Sequence, residues 1–264
     1  MDISNDGRNM KTIIQRRNKQ TGKKKMISNI LKPLGQYTFE CGFILINSLI
    51  RSSVLYGTEA MYNITEKELR EIERIEENQI KNIFKAETGI QVPLHAMYLD
   101  GGQVPAGYQI QRYKLNFFQY ILQQSEESIL YQVLEAQRIQ PVRGDWYSEC
   151  CNILEFFEIN LGPEEIKSMT RPQFKRLTKQ KSEEIAYSEL IQKKENGSKG
   201  STLKYGPKLQ LADYLCPNNQ LSVDDQVQIF QIRSQINPLP GNKGEREPCV
   251  TGCGELMSNF HISQ

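Results

Sequence analysis

The sequence predicts a mainly α protein. Apolar residues recur at three- and four-residue spacing through most of the chain, helix-start signals precede several of those segments, and no two alternating apolar runs are joined by a hairpin turn. Hydrophobic side chains make up 38% of the 264 residues and charged ones 24%. That balance excludes a wholly disordered chain and allows a sizeable core. Composition divides the chain into a basic segment (1–35), a helical domain (36–200) and a C-terminal stretch with one further helix (201–264).

A short helix is expected first, around Met10–Lys19. Phe39, Phe43, Ile44, Ile46, Ile50 and Leu55 predict a largely buried helix between Tyr37 and Tyr56, with Arg51 as its main charged interruption. Thr65 and Glu68 form a capping box, and the helix it opens carries Leu69, Ile72, Ile75, Ile80 and Ile83. Glutamates fill its first half and Lys81 and Lys85 its end, as the helix dipole favours. Pro105 falls in the first turn of a helix whose apolar stripe is Ile110, Tyr113, Phe117, Phe118, Ile121 and Leu122. Ser125 caps the next, running to about Arg138 with Leu130, Val133 and Leu134 inward. Gly144-Asp145 precedes a helix with Trp146, Cys150, Ile153, Leu154 and Phe157, and Pro163 and Pro172 open two more. The last of these buries Phe174, Leu177, Ile185, Ala186 and Leu190 among lysines and ends at the flexible run 196–201. Ser222 with Asp224-Asp225 starts a final helix.

Several function classes are excluded. The most apolar stretch, Cys41–Ile50, is about half the roughly 20 residues of a spanning helix, so no membrane partner is expected. The opening MDISNDGRNM lacks an apolar signal core, which argues against secretion and for a nuclear or cytoplasmic protein with reduced thiols. There is no nucleophile elbow, Walker loop or dinucleotide fingerprint. The seven aspartates do not cluster as two-metal phosphoryl chemistry requires, and capping explains Asp224-Asp225. The chain is therefore expected not to be an enzyme on its own. His95, Cys41 and the Cys150-Cys151 pair read as packing residues.

The net charge of +2 conceals two basic islands. Residues 1–32 hold nine Lys or Arg against Asp2 and Asp6, and 171–208 hold ten against four glutamates. Outside 1–32 the chain is net acidic. Such islands point to a polyanion partner, here the backbone of RNA or DNA contacted without sequence preference. The candidate binding residues are Arg16, Arg17, Lys19, Lys23, Lys24 and Lys25, followed by Lys175, Arg176, Lys179 and Lys181. Tyr113, Phe117, Phe118 and Tyr120, interleaved with Arg112 and Lys114, suit either base stacking or a helix core, and their spacing favours the core. Near the C-terminus, Cys249, Cys253 and His261 offer three of the four ligands zinc takes. Spacing alone leaves open whether they bind zinc or are reduced thiols beside an unrelated histidine.

Leu49-Ile50-Arg51-Ser52-Ser53-Val54-Leu55-Tyr56-Gly57-Thr58-Glu59-Ala60-Met61-Tyr62 resembles a segment located after the palm domain in non-LTR (LINE-like) retrotransposon reverse transcriptases, approximately Arg-Ser-x-Leu-x-Tyr-x-x-Glu-x-Trp/Met. Ile3–Asn9 is similar to the stretch immediately after that family's Tyr-Leu-Gly element at the end of the palm. Leu34-Gly35, Thr38–Gly42 and Arg143–Tyr147 are similar to one branch of the group. Phe230–Leu239 with Cys249, Cys253 and His261 is similar to its terminal zinc knuckle. The resemblance covers almost the whole chain and rests on the order and spacing of motifs that are individually degenerate. It implies a helical thumb-like bundle, a basic N-terminal segment and a small, incomplete C-terminal zinc knuckle, in a fragment of an RNA-directed DNA polymerase. It also implies zinc on Cys249, Cys253 and His261, and a complete reverse transcriptase chain as a further partner. The family's catalytic Tyr-x-Asp-Asp pair and last knuckle cysteine are absent from this sequence, so no catalytic residue carries over. The competing expectation is a non-catalytic helical structural or interaction protein without nucleic-acid affinity, its partner face being the acidic helix Glu66–Lys85.

Overall fold

The computed structural model describes residues 9–16, 18–19, 39–83, 93–142, 144–196, 205–217 and 221–234. The protein is mainly helical, and among the described residues there is no strand, only an isolated antiparallel bridge between Gly101 and Leu211. The helices are α1 (10–16), α2 (Phe39–Leu45), α3 (Ser52–Leu55), α4 (Glu66–Ile83), α5 (Leu94–Asp100), α6 (Ala106–Leu122), α7 (Ile129–Ile139), α8 (Trp146–Phe156), α9 (Pro163–Ser168), α10 (Arg171–Glu195) and α11 (Val223–Arg233). A π-helical turn over Ile46–Arg51 joins α2 to α3. Two compact units divide the chain. The first takes Met1–Lys25, Asn47–Glu76 and Val104–Tyr187; the second takes Met26–Ile46, Glu77–Gln103 and Ser188–Gln264.

The first unit is built on α6. Leu115, Phe118, Ile121 and Leu122 meet Leu134 of α7, Cys150, Ile153 and Leu154 of α8, Ile166 of α9 and Phe174 of α10. Phe118 is fully buried, with the Trp146 and Tyr147 rings 6.1 and 5.9 Å away. Polar ties fix the helix pairs. The Gln119 amide donates to the Ile166 and Met169 carbonyls at 3.2 and 3.0 Å, and Thr178 donates to Asn116 Oδ1 at 3.2 Å.

The expected capping chemistry is present. Glu68 Oε2 accepts from the Thr65 backbone N–H at 2.9 Å, and Thr65 Oγ1 accepts from the Glu68 N–H at 3.3 Å. Asp145 accepts from the Ser148 N–H at 2.7 Å, and Ser222 from the Asp225 N–H at 3.1 Å. Asp225 serves this cap, as its position after Ser222 implied.

Arg51 is a buried link. Its guanidinium ion-pairs with Glu76 of α4 and donates to the Val104 carbonyl at 2.8 Å. The pair explains how an apolar helical run tolerates an arginine, because a buried charge persists only when paired and hydrogen-bonded. Taken through Ala60, the run starting at Phe39 is long and apolar enough to cross a membrane by length and composition, which the shorter stretch ending at Ile50 is not. Phe39, Phe43, Ile46, Ile50, Val54 and Leu55 are all buried within the protein.

The second unit has its own polar centre. Asp100, at the end of α5, is fully buried and accepts from Tyr214 Oη at 2.8 Å and Arg233 at 3.2 Å. Burial raises its carboxyl pKa, while Arg233 and Tyr214 pull it back. Gly102 has φ +59°, and a Cβ there would lie 2.5 Å from the Gln210 and Leu211 backbone, so only glycine fits.

Three local expectations are corrected. Helix α7 starts after Ser128, not Ser125, and only Leu134 of its apolar residues is buried; Leu130 and Val133 face solvent because the core closes on one narrow stripe. Cys41 is exposed rather than core. Pro105 precedes the first helical residue of α6 rather than lying within its first turn.

Phe118→Ala is expected to lower unfolding free energy by about 3–5 kcal/mol, the range for emptying a fully buried aromatic site. Urea titration monitored by far-UV circular dichroism checks this.

Candidate nucleic-acid interface

A cleft of about 790 Å³ opens on the first unit. Three stretches of chain line it: Ser52, Leu55, Tyr56 and Glu59; Arg112, Tyr113, Asn116, Phe117, Gln119 and Tyr120; and Arg171, Lys175 and Lys179. The helical repeat explains the last two sets. Arg171, Lys175 and Lys179 are four residues apart, so they form one stripe of α10. Phe174, Thr178, Ser182, Ala186 and Leu190 occupy the neighbouring stripe at the same interval, and all five are buried. On α6, Tyr113, Asn116, Phe117 and Tyr120 flank the core-facing residues Ile110, Lys114, Phe118 and Ile121.

The first wall depends on a turn. Gly57 has φ +73°, in the left-handed region that glycine enters without cost. The turn ends α3, leaves the Tyr56 ring 76% exposed and leads into a 3-10 turn, Thr58–Ala60, packed on α6. The Trp146 indole N–H anchors that turn by donating to the Glu59 carbonyl at 3.2 Å.

Among the described residues, four cations line the cleft against one carboxylate, Glu59. Arg16 of α1 interacts electrostatically with Glu59 and donates to the Val54 carbonyl at 2.7 Å. Burial lowers its pKa, with Glu59 opposing. The aromatic part is ordered as a column. The Phe117 and Tyr120 rings stack at 5.9 Å with 13° between planes, and the Arg171 guanidinium lies 5.0 Å from the Tyr120 ring centre. Gln123 accepts from Arg171 Nε at 3.3 Å and fixes that arrangement. Arg112 lies 5.4 Å from the centre of the Tyr113 ring.

The structure separates the residues expected from sequence. Lys175 and Lys179 line the cleft, and Lys179 is 3.8 Å from Glu183. Arg176 is exposed on α10 and Lys181 reaches Glu158 and Glu184 at 3.8 and 3.6 Å; neither lines the cleft. Arg16 interacts with Glu59 without lining the cleft, and Lys19 is exposed in a helical stretch. Arg17, Lys23, Lys24, Lys25, Cys249, Cys253 and His261 lie outside the described residues. Among the described residues no group of three or more His, Cys, Asp or Glu is placed to hold a metal ion. Cys216 is a free thiol whose pKa burial raises, and it donates to the Ala212 carbonyl at 3.6 Å.

The aromatic segment divides between the two readings. Phe118 is core, whereas Tyr113, Phe117 and Tyr120 reach the cleft with Arg112. Lys114 is not a surface cation: its side chain is 2% exposed and ion-paired with Glu149 of α8. Sequence reasoning did not single out Tyr56 or Arg171 as cleft residues, and named Arg112 only as interleaved with the aromatics of α6. The 171–175–179 interval was the signal available for Arg171.

The glutamates of α4 do not form one solvent-facing surface. Glu68 is buried with bonds to Thr65 and Asn9, Glu76 is buried in its pair with Arg51, and Glu71, Glu73 and Glu77 are half-buried.

No family model matches the chain, and no curated protein or solved structure matches it either.

Glu149→Ala is expected to cost about 3 kcal/mol or more, because it leaves the Lys114 ammonium buried and unpaired. Lys114→Met combined with Glu149→Leu, which removes both charges and keeps the volume, is expected to be near neutral or stabilising. Thermal unfolding of the two variants side by side makes the comparison.

Proposed function

We propose that this chain binds nucleic acid through the cleft of its first unit, gripping the phosphate backbone without reading sequence. The observation that carries the reading is the cleft's composition: Arg112, Arg171, Lys175 and Lys179 beside Tyr56, Tyr113 and Tyr120, with one carboxylate. Lys and Arg release condensed counterions when they meet phosphates, and aromatic faces hold bases whatever their identity. The sequence resemblance to the thumb and terminal region of non-LTR retrotransposon reverse transcriptases supports the same reading, and under it the helical first unit is the thumb-like part. The proposal is binding alone, with no catalytic residue assigned.

The resemblance adds zinc as a proposed ligand of Cys249, Cys253 and His261. With three ligands the metal is held weakly and exchanges, so native mass spectrometry is expected to show zinc lost on brief treatment with a chelator. One tightly held ion per chain would contradict that.

A second reading, a helical interaction protein without nucleic-acid affinity, draws on α7, where Ile129, Leu130, Val133 and Ile139 are exposed. An apolar helix face of that kind suits a protein partner.

A salt titration separates the two. With about four phosphates met, affinity is expected to fall roughly 50- to 150-fold between 50 and 200 mM salt. The double variant Lys175→Glu, Lys179→Glu is expected to bind at least about tenfold more weakly, with a shallower salt slope. No binding to any nucleic acid at low salt would favour the α7 reading, and an affinity indifferent to salt and to those substitutions would contradict the proposed cleft.

A further inference from the structure

The cleft's walls suit an unpaired strand better than a duplex. A base can stack on an aromatic ring or a guanidinium plane only when one of its own faces is free, and in a duplex neighbouring bases cover both. A basic surface alone would serve either form, because phosphates are displayed by both. Stacking surfaces in the cleft therefore distinguish the two ligands.

Two such surfaces are present. The first is the Tyr56 ring, 76% exposed and held out by the left-handed turn at Gly57. The second is the column Phe117–Tyr120–Arg171. Phe117 is packed edge-on against Trp146 at 5.7 Å, which anchors the inner end of the column. Tyr120 lies next to it, and the exposed Arg171 guanidinium forms the outer end. Lys175 and Lys179 continue from Arg171 along the same stripe of α10, one helical turn apart, as successive phosphates of a strand require. At about 790 Å³ the cleft falls within the range of roughly 300–1,000 Å³ that encloses a drug-sized molecule, enough for an unstacked nucleotide.

We infer that the cleft is a single-strand site: one base stacks on Tyr56, another on the Arg171 end of the aromatic column, and Lys175 and Lys179 hold the phosphates between and beyond them. This deepens the reading of the cleft as a nucleic-acid site and rests on it. The ligand class is an unpaired run of RNA or DNA.

The test uses the full chain and three fluorescein-labelled probes at one ionic strength: oligo-dT, oligo-rU and a blunt duplex of equal length, read by fluorescence anisotropy. Either single strand is expected to bind at least about fivefold more tightly than the duplex, the least that one stacked base contributes. Tighter binding of rU than dT, or the reverse, supports the inference and names the natural source. Tyr56→Ala is expected to remove most of that preference while leaving the duplex affinity and the salt slope unchanged, because it deletes a ring and no charge. Tyr56→Phe, which keeps the ring, is expected to restore single-strand binding. Equal affinity for single strands and duplex, or a Tyr56→Ala protein that binds oligo-dT and oligo-rU as wild type does, overturns the inference. In that case salt-dependent duplex binding that Lys175→Glu, Lys179→Glu weakens would leave the broader nucleic-acid reading standing. Failure to bind any probe at low salt ends both.

Discussion

One helix carries two obligations here, and the arrangement of the first unit comes from that constraint. An α-helix repeats every 3.6 residues, so α6 has room for one core-facing stripe and one exposed edge within the same 17 residues. Phe118, Ile121 and Leu122 meet the obligation to the core, and Tyr113, Phe117 and Tyr120 lie along the edge that opens on the cleft. Phe117 belongs to both, touching Trp146 on one side and Tyr120 on the other. The cleft wall is thus packed directly on the core, the arrangement that holds a side chain in place before a ligand arrives.

Two buried ion pairs serve the same end. Arg51 with Glu76 links the π-helical turn to α4, and Lys114 with Glu149 links α6 to α8. Such pairs add little net stability over apolar residues of the same size, but removing either partner strands a charge. Each pair ties together two elements that are distant in the sequence. Glu59 is handled differently: Arg16 offsets its charge and its carbonyl accepts from Trp146, so the cleft keeps a positive balance among its described lining residues.

Much of this was legible in the sequence. The Thr65–Glu68 and Ser222–Asp225 caps depend on side chains three residues apart, so local pattern suffices to find them. Of the α10 core, Phe174, Ala186 and Leu190 were readable from their apolar side chains, whereas the buried Thr178 and Ser182 were not, because polar residues give no such signal. What sequence concealed was long-range. Lys114 reads as a surface cation in a polar–aromatic run, and only Glu149, 35 positions away, makes its burial tolerable. Arg51 likewise needs Glu76, 25 residues on. Leu130 and Val133 have the spacing of core residues, but α7 meets the core along a stripe wide enough for Leu134 alone. Tyr56 could not be read as a cleft residue because its place there depends on the turn at Gly57 and on helices far along the chain.

Cross-linking tests the central claim most directly. The full chain is irradiated with a photoreactive oligonucleotide at low salt and digested, and the modified residues are mapped by mass spectrometry. The account predicts adducts concentrated at Tyr56, Tyr113 and Tyr120 and suppressed by excess unlabelled strand. Adducts scattered over the helices with none in the cleft, or a yield that competitor leaves unchanged, would contradict it.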